Sequence, residues 1–176
     1  MNTTQQARRL LDLQLLLIEF LEIERLIYLP TSKQADRRET DTEHSFHLAM
    51  LGWYLCGFYP HLNRDKVIKY ALAHDIVEIH AGDVMAVGRT KEQQLLKNKR
   101  EAEALLLLKK EWADFPDLSA TIELYEQQSD PESVFVKALD KLTPMVLQIL
   151  SQGKTWKKYD IKRSDIIALK DEKTAP

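Results

Sequence analysis

Two histidines and two aspartates carry the chemistry this chain could do: His44, the adjacent pair His74 and Asp75, and Asp140. Each falls on a stretch that reads as helix. Two imidazoles and two carboxylates suit one divalent ion of intermediate hardness, such as Mn2+, Co2+, Fe2+, Zn2+ or Mg2+. Four protein donors leave a six-coordinate ion two open positions, enough for a water and one substrate oxygen. That is the build of a hydrolytic centre rather than of a closed structural zinc site. Glu78 follows His74 by four residues and Asp75 by three, which places it on the same helical face one turn along. Around it Val67, Ile68, Ala71, Leu72, Ile76 and Val77 are apolar. Unpaired carboxylates are costly to bury in such company, and a metal ion removes that cost. Asp140 likewise has core-like neighbours in Val134, Phe135, Ala138, Leu139 and Leu142. Pro144 clashes with the carbonyl four residues before it, so the sixth helix is expected to kink at Asp140. The remaining histidines, His47, His61 and His80, do not supply ligands for a second ion. His80 lies about 240° around the helix from His74 and points away. Taken singly, each residue also has an ordinary reading: His44 as a core or surface histidine, Asp140 as a partner of Lys137 or Lys141. Only the ordered set is informative.

The elements that must position these residues read as helices, with few strand signals. The first runs from about Leu10 to Leu29, where Pro30 stops it. Thr31 to Asp41 is polar and reads as a loop. Asp41 or Thr42 caps a second helix that Pro60 ends. Asn63 caps a third, running through Ile79 to near Gly82, followed by a loop from Asp83 to Arg89. Thr90 with Gln93 forms a capping box for a long fourth helix that Pro116 terminates. A fifth covers about Leu118 to Gln128. Asp130 caps the sixth, with Pro131 at its first position, and this helix runs to about Gln152. The tail after Lys154 is charged and expected to fray. The pattern predicts an all-α bundle of about six helices.

The chain has 176 residues, 44% of them hydrophobic, which predicts one domain with its core over about residues 10–150. Net charge is −2, from 25 basic and 27 acidic residues, so nothing argues for a nucleic-acid partner. Asp12, Gln14, Glu19, Glu22, Glu24 and Arg25 interrupt the apolar stretch from Leu10 to Leu29, which reads as a buried amphipathic helix. It is neither a membrane span nor a signal peptide. Cys56 is the only cysteine, so no intrachain disulfide forms, and the expected location is the cytoplasm. The first helix is apolar around more of its circumference than one core requires, which points to a homodimer.

Three stretches resemble the HD superfamily of metal-dependent phosphohydrolases, in particular its small helical branch containing the 5'-deoxynucleotidases. They are Asp41 to Ala49 (DTEHSFHLA), Ala71 to Asp83 (ALAHDIVEIHAGD) and Phe135 to Leu142 (FVKALDKL). The resemblance runs from about Leu10 to Leu150. It implies an HD-domain helical bundle with His44, His74, Asp75 and Asp140 as metal ligands. Glu78 then matches the catalytic carboxylate, and Asp83 opens a substrate-contacting loop. Relatives that hydrolyse deoxynucleoside monophosphates often carry an Arg-Trp pair after the first helix. Here the nearest candidates are Arg25 and Tyr28, and no tryptophan precedes Trp53. Arg37 and Arg38 offer further cations for a phosphate. The implied reaction is hydrolysis of the phosphomonoester of a (deoxy)nucleoside 5'-monophosphate by a metal-activated water. Two alternatives are an HD-type phosphohydrolase of a triphosphate or signalling nucleotide, and a non-catalytic metal-stabilised interaction module.

Overall fold

The computed structural model describes residues 1–30, 37–84 and 87–167. Helix α1 (Thr3–Leu21) opens on Asn2, whose side chain accepts the Gln5 N–H while Gln5 returns a bond to the Asn2 N–H. It ends well short of Leu29. Glu24–Tyr28 is instead strand β1, paired antiparallel with β2 (Arg38–Thr40). The apolar run gave the helix no stop signal before Pro30. The end at Leu21 is set by tertiary pairing, and the Asp41 N–H bonds the Ile23 carbonyl at 2.9 Å to close the junction. Of the expected loop over Thr31 to Asp41, residues 31–36 lie outside the described residues, Arg38–Thr40 is strand, and Asp41 is already helical.

Helix α2 (Asp41–Leu55) is capped by Thr40, not by Asp41 or Thr42. Thr40 ends β2 in extended backbone, so the cap falls one residue earlier. Its hydroxyl accepts the Glu43 N–H at 3.3 Å, and Glu43 accepts the Thr40 N–H at 3.0 Å. Asp41 is thereby released to turn inward. The helix ends at Leu55, before the expected stop at Pro60. Helix α3 (Arg64–Ala73) starts at Asn63 as expected but stops at Ala73. The chain continues through tight turns, with Ile76 N–H on Ala73 and Glu78 N–H on Asp75, into the short α4 (Glu78–Ala81). The one continuous helix expected over this stretch is therefore two, and His74 and Asp75 sit where α3 tightens.

Helix α5 (Lys91–Glu111) keeps the Thr90–Gln93 capping box. Pro116 does not terminate it; it opens α6 (Pro116–Gln127), two residues earlier than Leu118, in the position where a missing N–H costs nothing. Helix α7 (Pro131–Leu150) is capped by Asp130, which accepts the Ser133 N–H at 2.8 Å. It runs as one helix through Pro144, whose ring nitrogen cannot donate to the Asp140 carbonyl. The charged tail forms a short helix, α8 (Lys154–Lys158), entered through Gly153 at φ +73°. Eight helices lie wholly within the described residues, rather than six, because one expected helix divides and the tail adds another.

Two buried clusters form the interior. One joins Leu16 and Phe20 of α1 to Val77, Leu108 and Ile122. The other joins Leu48 of α2 and Val67 and Tyr70 of α3 to Tyr125 and Val136. Helices α2 and α3 approach so closely at Gly52 that a Cβ there would lie 2.7 Å from Val67 Cγ1. Both helices also pack against α7. No helix among the described residues is long and apolar enough to cross a membrane.

Candidate metal centre

Four donor atoms converge, from helices α2 and α7 and from the turn that follows α3. His44 from the first turns of α2 places Nε2 3.1 Å from Asp140 Oδ1 of α7 and 4.0 Å from Asp75 Oδ2. His74 Nε2 lies 3.1 Å from Asp75 Oδ2 and 3.9 Å from Asp140 Oδ1. Donors bound at about 2.0–2.2 Å from one ion lie roughly 3 Å apart when adjacent and about 4 Å apart when opposite. The observed separations fall in that range. His74 Nδ1 sits 3.0 Å from the Ala71 carbonyl, which can only accept, so in the neutral ring Nδ1 carries the proton and Nε2 keeps its lone pair. That Nε2 is buried and has no hydrogen-bond partner. An orphaned imidazole nitrogen among two carboxylates and a second imidazole fits a divalent cation. His44, His74 and Asp75 form a group that could hold a metal ion, with Asp140 beside it.

The charge balance at the cluster is tight. Burial disfavours both carboxylates in their charged form, yet the adjoining imidazoles outweigh it. Asp75, with Arg25 assisting, is held well below the usual range, and Asp140 is also lowered. Arg25 reaches in from β1, its Nη1 donating to Asp41 Oδ1 at 2.8 Å and Asp75 Oδ2 at 2.9 Å. Burial pulls the Arg25 pKa down, but Asp75, Asp41 and Asp83 together raise it. Asp41 is wholly buried, and burial followed by repulsion from Asp75 pushes its carboxyl up to about 8 against the pull of Arg25.

Glu78 begins α4 beside this cluster and is 4% exposed. Its Oε1 accepts from Lys97 Nζ at 2.7 Å, and its Oε2 is buried without a partner. Burial raises the Glu78 pKa, Lys97 works against the rise, and the negative charges of Asp75 and Asp83 add to it. Asp83 is raised for the same first reason, burial, with Arg25 opposing. Tyr125 of α6 packs its ring 5.3 Å from that of His74.

The structure therefore brings together His44, His74, Asp75, Asp140 and Arg25, with Glu78 and Asp83 within electrostatic reach. It places three other candidates elsewhere. Arg37 is engaged by Glu43 through two bonds of 2.9 and 2.7 Å. Arg38 donates to the Tyr159 hydroxyl at 3.1 Å. Tyr28 is 2% exposed; its hydroxyl bonds Lys158 of α8 at 2.5 Å, and its N–H donates to Thr155. Its hydroxyl and N–H turn to α8, because β1 is extended where a helix was expected and the side chains are distributed differently. Sequence reasoning missed Glu39, Asp41, Lys97 and Arg89. Asp41 and Glu39 precede His44 by three and five residues, a spacing a reader could have marked. Lys97 lies on a helix crowded with charges, and nothing in its spacing singles it out. Arg89 donates to the Val84 carbonyl and to Gln94, and burial lowers its pKa while Asp83 and Glu78 oppose that.

A helical fold with a His/Asp cluster drawn from two helices and the turn after a third defines a class, and comparison with known proteins gives the family. The HD domain family model matches residues 29–176, and the chain belongs to that family. Bovine (Bos taurus) 5'-deoxynucleotidase HDDC2 is 31% identical over 120 residues, covering 66% of this chain and 55% of that protein. The Schizosaccharomyces pombe 5'-deoxynucleotidase hdd1 is 27% identical over 113 residues, 60% of this chain and 54% of that one. The chain spans about half the length of the curated relatives it matches. Among solved structures, a predicted metal-dependent phosphohydrolase from Magnetospirillum magnetotacticum MS-1 superposes with a TM-score of 0.69 at 30% identity, covering 92% of this chain and 81% of that one. A conserved hypothetical protein from Pyrococcus furiosus gives a TM-score of 0.62 at 26% identity, covering 85% of this chain and 88% of that one.

Proposed function

We propose that this chain is a divalent-metal-dependent phosphohydrolase acting on the phosphomonoester of nucleoside 5'-monophosphates. The observation that carries the reading is the convergence of His44 Nε2, His74 Nε2, Asp75 Oδ2 and Asp140 Oδ1, with the His74 nitrogen buried and unpartnered. Those four residues would hold one ion. When bound, the ion supplies positive charge that acidifies water and offsets the charge of a phosphate oxygen. The names of the relatives from Bos taurus and Schizosaccharomyces pombe support the nucleotide class.

The chain's own groups supply the rest. Water adds to phosphorus as the bond to the 5'-oxygen breaks, and the leaving oxygen needs the proton it lacks. Glu78, whose burial favours the protonated carboxyl, donates that proton. The proton lost by the water passes to the phosphate or to solvent, so the products are a nucleoside and inorganic phosphate. Lys97 fixes the Glu78 carboxyl from α5. Arg25 offers a guanidinium that can neutralise a substrate anion at the edge of the cluster. Beyond Asp83, a cavity of about 690 Å³ lined by Val84, Arg89, Leu96 and Arg100 has the size of an ordinary ligand pocket.

The deciding measurement is phosphate release from a panel of nucleoside mono- and triphosphates with Mn2+, Co2+, Mg2+, Fe2+ or Zn2+. Release from 5'-monophosphates is expected. Turnover of triphosphates alone would identify another phosphohydrolase of the family, and no turnover with any ion would favour a metal-stabilised interaction module. We also read the exposed Leu10, Leu11, Leu15 and Ile18 of α1 as a surface for a second copy of the chain, which sedimentation velocity tests directly.

A further inference from the structure

We propose that Glu39 is a positioning residue that fixes the ring proton of His44 on Nδ1 and anchors Arg25 beside Asp75. The proposal rests on His44 being a metal ligand, as read above. Glu39 lies in the middle of β2 with its side chain wholly buried. A buried carboxylate is stable only among donors. Its Oε1 is 3.2 Å from His47 Nδ1. Its Oε2 faces Arg25 Nε at 3.6 Å and His44 Nδ1 at 3.8 Å. All three atoms of this second group are buried, and none has a hydrogen-bond partner.

The gaps exceed hydrogen-bond length, so a contraction of a few tenths of an ångström separates the group from bonding. Attraction between an ionised carboxylate and these nitrogens acts across such gaps in a dry interior. The chemistry of His44 indicates the direction. If Nε2 faces a cation, the ring proton must reside on Nδ1, and a buried N–H needs an acceptor. His74 solves this with the Ala71 carbonyl. For His44 the group facing Nδ1 is Glu39. A carboxylate behind an imidazole also makes it a more basic ligand than a carbonyl does. The same oxygen faces the Nε of Arg25, whose Nη1 contacts Asp41 and Asp75. Glu39 therefore couples one ligand to the cation that balances another.

The test uses the full chain with Glu39→Gln, which keeps the shape and removes the charge, and Glu39→Ala as a second variant. Zn2+ affinity is measured by calorimetry, and the His44 tautomer by long-range 1H–15N NMR of the Zn2+-loaded protein. Wild type is expected to show a protonated Nδ1. Glu39→Gln is expected to bind Zn2+ roughly 10–100-fold more weakly and to shift the His44 Nδ1 resonance. Wild-type affinity with an unmoved Nδ1 resonance in a folded Glu39→Gln protein would overturn the proposal. His44→Ala separates the two levels: if it binds Zn2+ like wild type, His44 is no ligand, and the underlying reading fails first.

Discussion

Glu78 and Tyr28 show how differently the structure treats two residues that the family resemblance offered as site candidates. Glu78 is buried, bonded to Lys97 through one oxygen and unpartnered at the other. If it is the proton donor, Glu78→Ala will retain metal and nucleotide binding but lose turnover by roughly 10²–10⁴-fold. Elemental analysis of the purified variant checks the first half, and a phosphate-release assay the second. Loss of metal would mean instead that Glu78 supports the ligands. Tyr28 stands with α8, where Lys158 and Thr155 hold it. Tyr28→Ala should therefore leave the ratio of specificity constants for paired deoxy- and ribonucleoside monophosphates unchanged. It should cost roughly 3–5 kcal/mol of stability, the usual range for deleting a large buried ring. A changed ratio would return Tyr28 to the substrate.

At the scale of elements, the site depends on where three helices start or stop, and caps decide this. Asp130 sets the start of α7, which carries Asp140. It accepts the Ser133 N–H and the Tyr70 hydroxyl, and pairs with Lys66 at 2.9 Å. Burial works against its charge, but those three partners prevail and hold the carboxyl well below its ordinary value. A pKa depressed on folding stabilises the native state above the unfolded value of about 3.9 and loses that contribution as pH falls toward the folded value. Asp130→Ala should cost about 1 kcal/mol at neutral pH. The gap between wild type and Asp130→Asn, which keeps the cap and loses the charge, should be constant above pH 5 and narrow below about 4. Urea unfolding at a series of pH values measures both. A gap that widens on acidification contradicts the assignment.

For the molecule as a whole, an ion held by these four residues would tie α2, the turn after α3 and α7 together. Metal binding at 100 times Kd would stabilise the fold by about 2.7 kcal/mol. Chelation should then lower Tm by roughly 5–10 °C for a chain of this size. His74→Ala and Asp75→Ala should bind no metal, show no hydrolysis and show no Tm response to chelator. Full metal occupancy in either variant would remove the assignment.

Much of this was legible in the chain. Asn63, Thr90 and Asp130 mark helix starts by local chemistry, and all three act as caps. The identities of His44, His74, Asp75 and Asp140 marked a set of donors able to share an ion, because donor type is a property of the residue. What the sequence could not supply was distance and ending. The stretch from Leu10 to Leu29 carries no local stop signal, yet Glu24–Tyr28 within it is a strand, since pairing with Arg38–Thr40 depends on residues distant in the chain. That pairing turns Arg25 toward Asp75 and Tyr28 toward α8. Glu39 and Lys97 reach the site for the same kind of reason. Each lies on an element whose own pattern is unremarkable, and only the packing of β2 and α5 against the ends of α2 and α4 gives a buried charge its partner. Local chemistry determined which atoms could bind and where helices could begin; long-range burial decided which of those atoms meet.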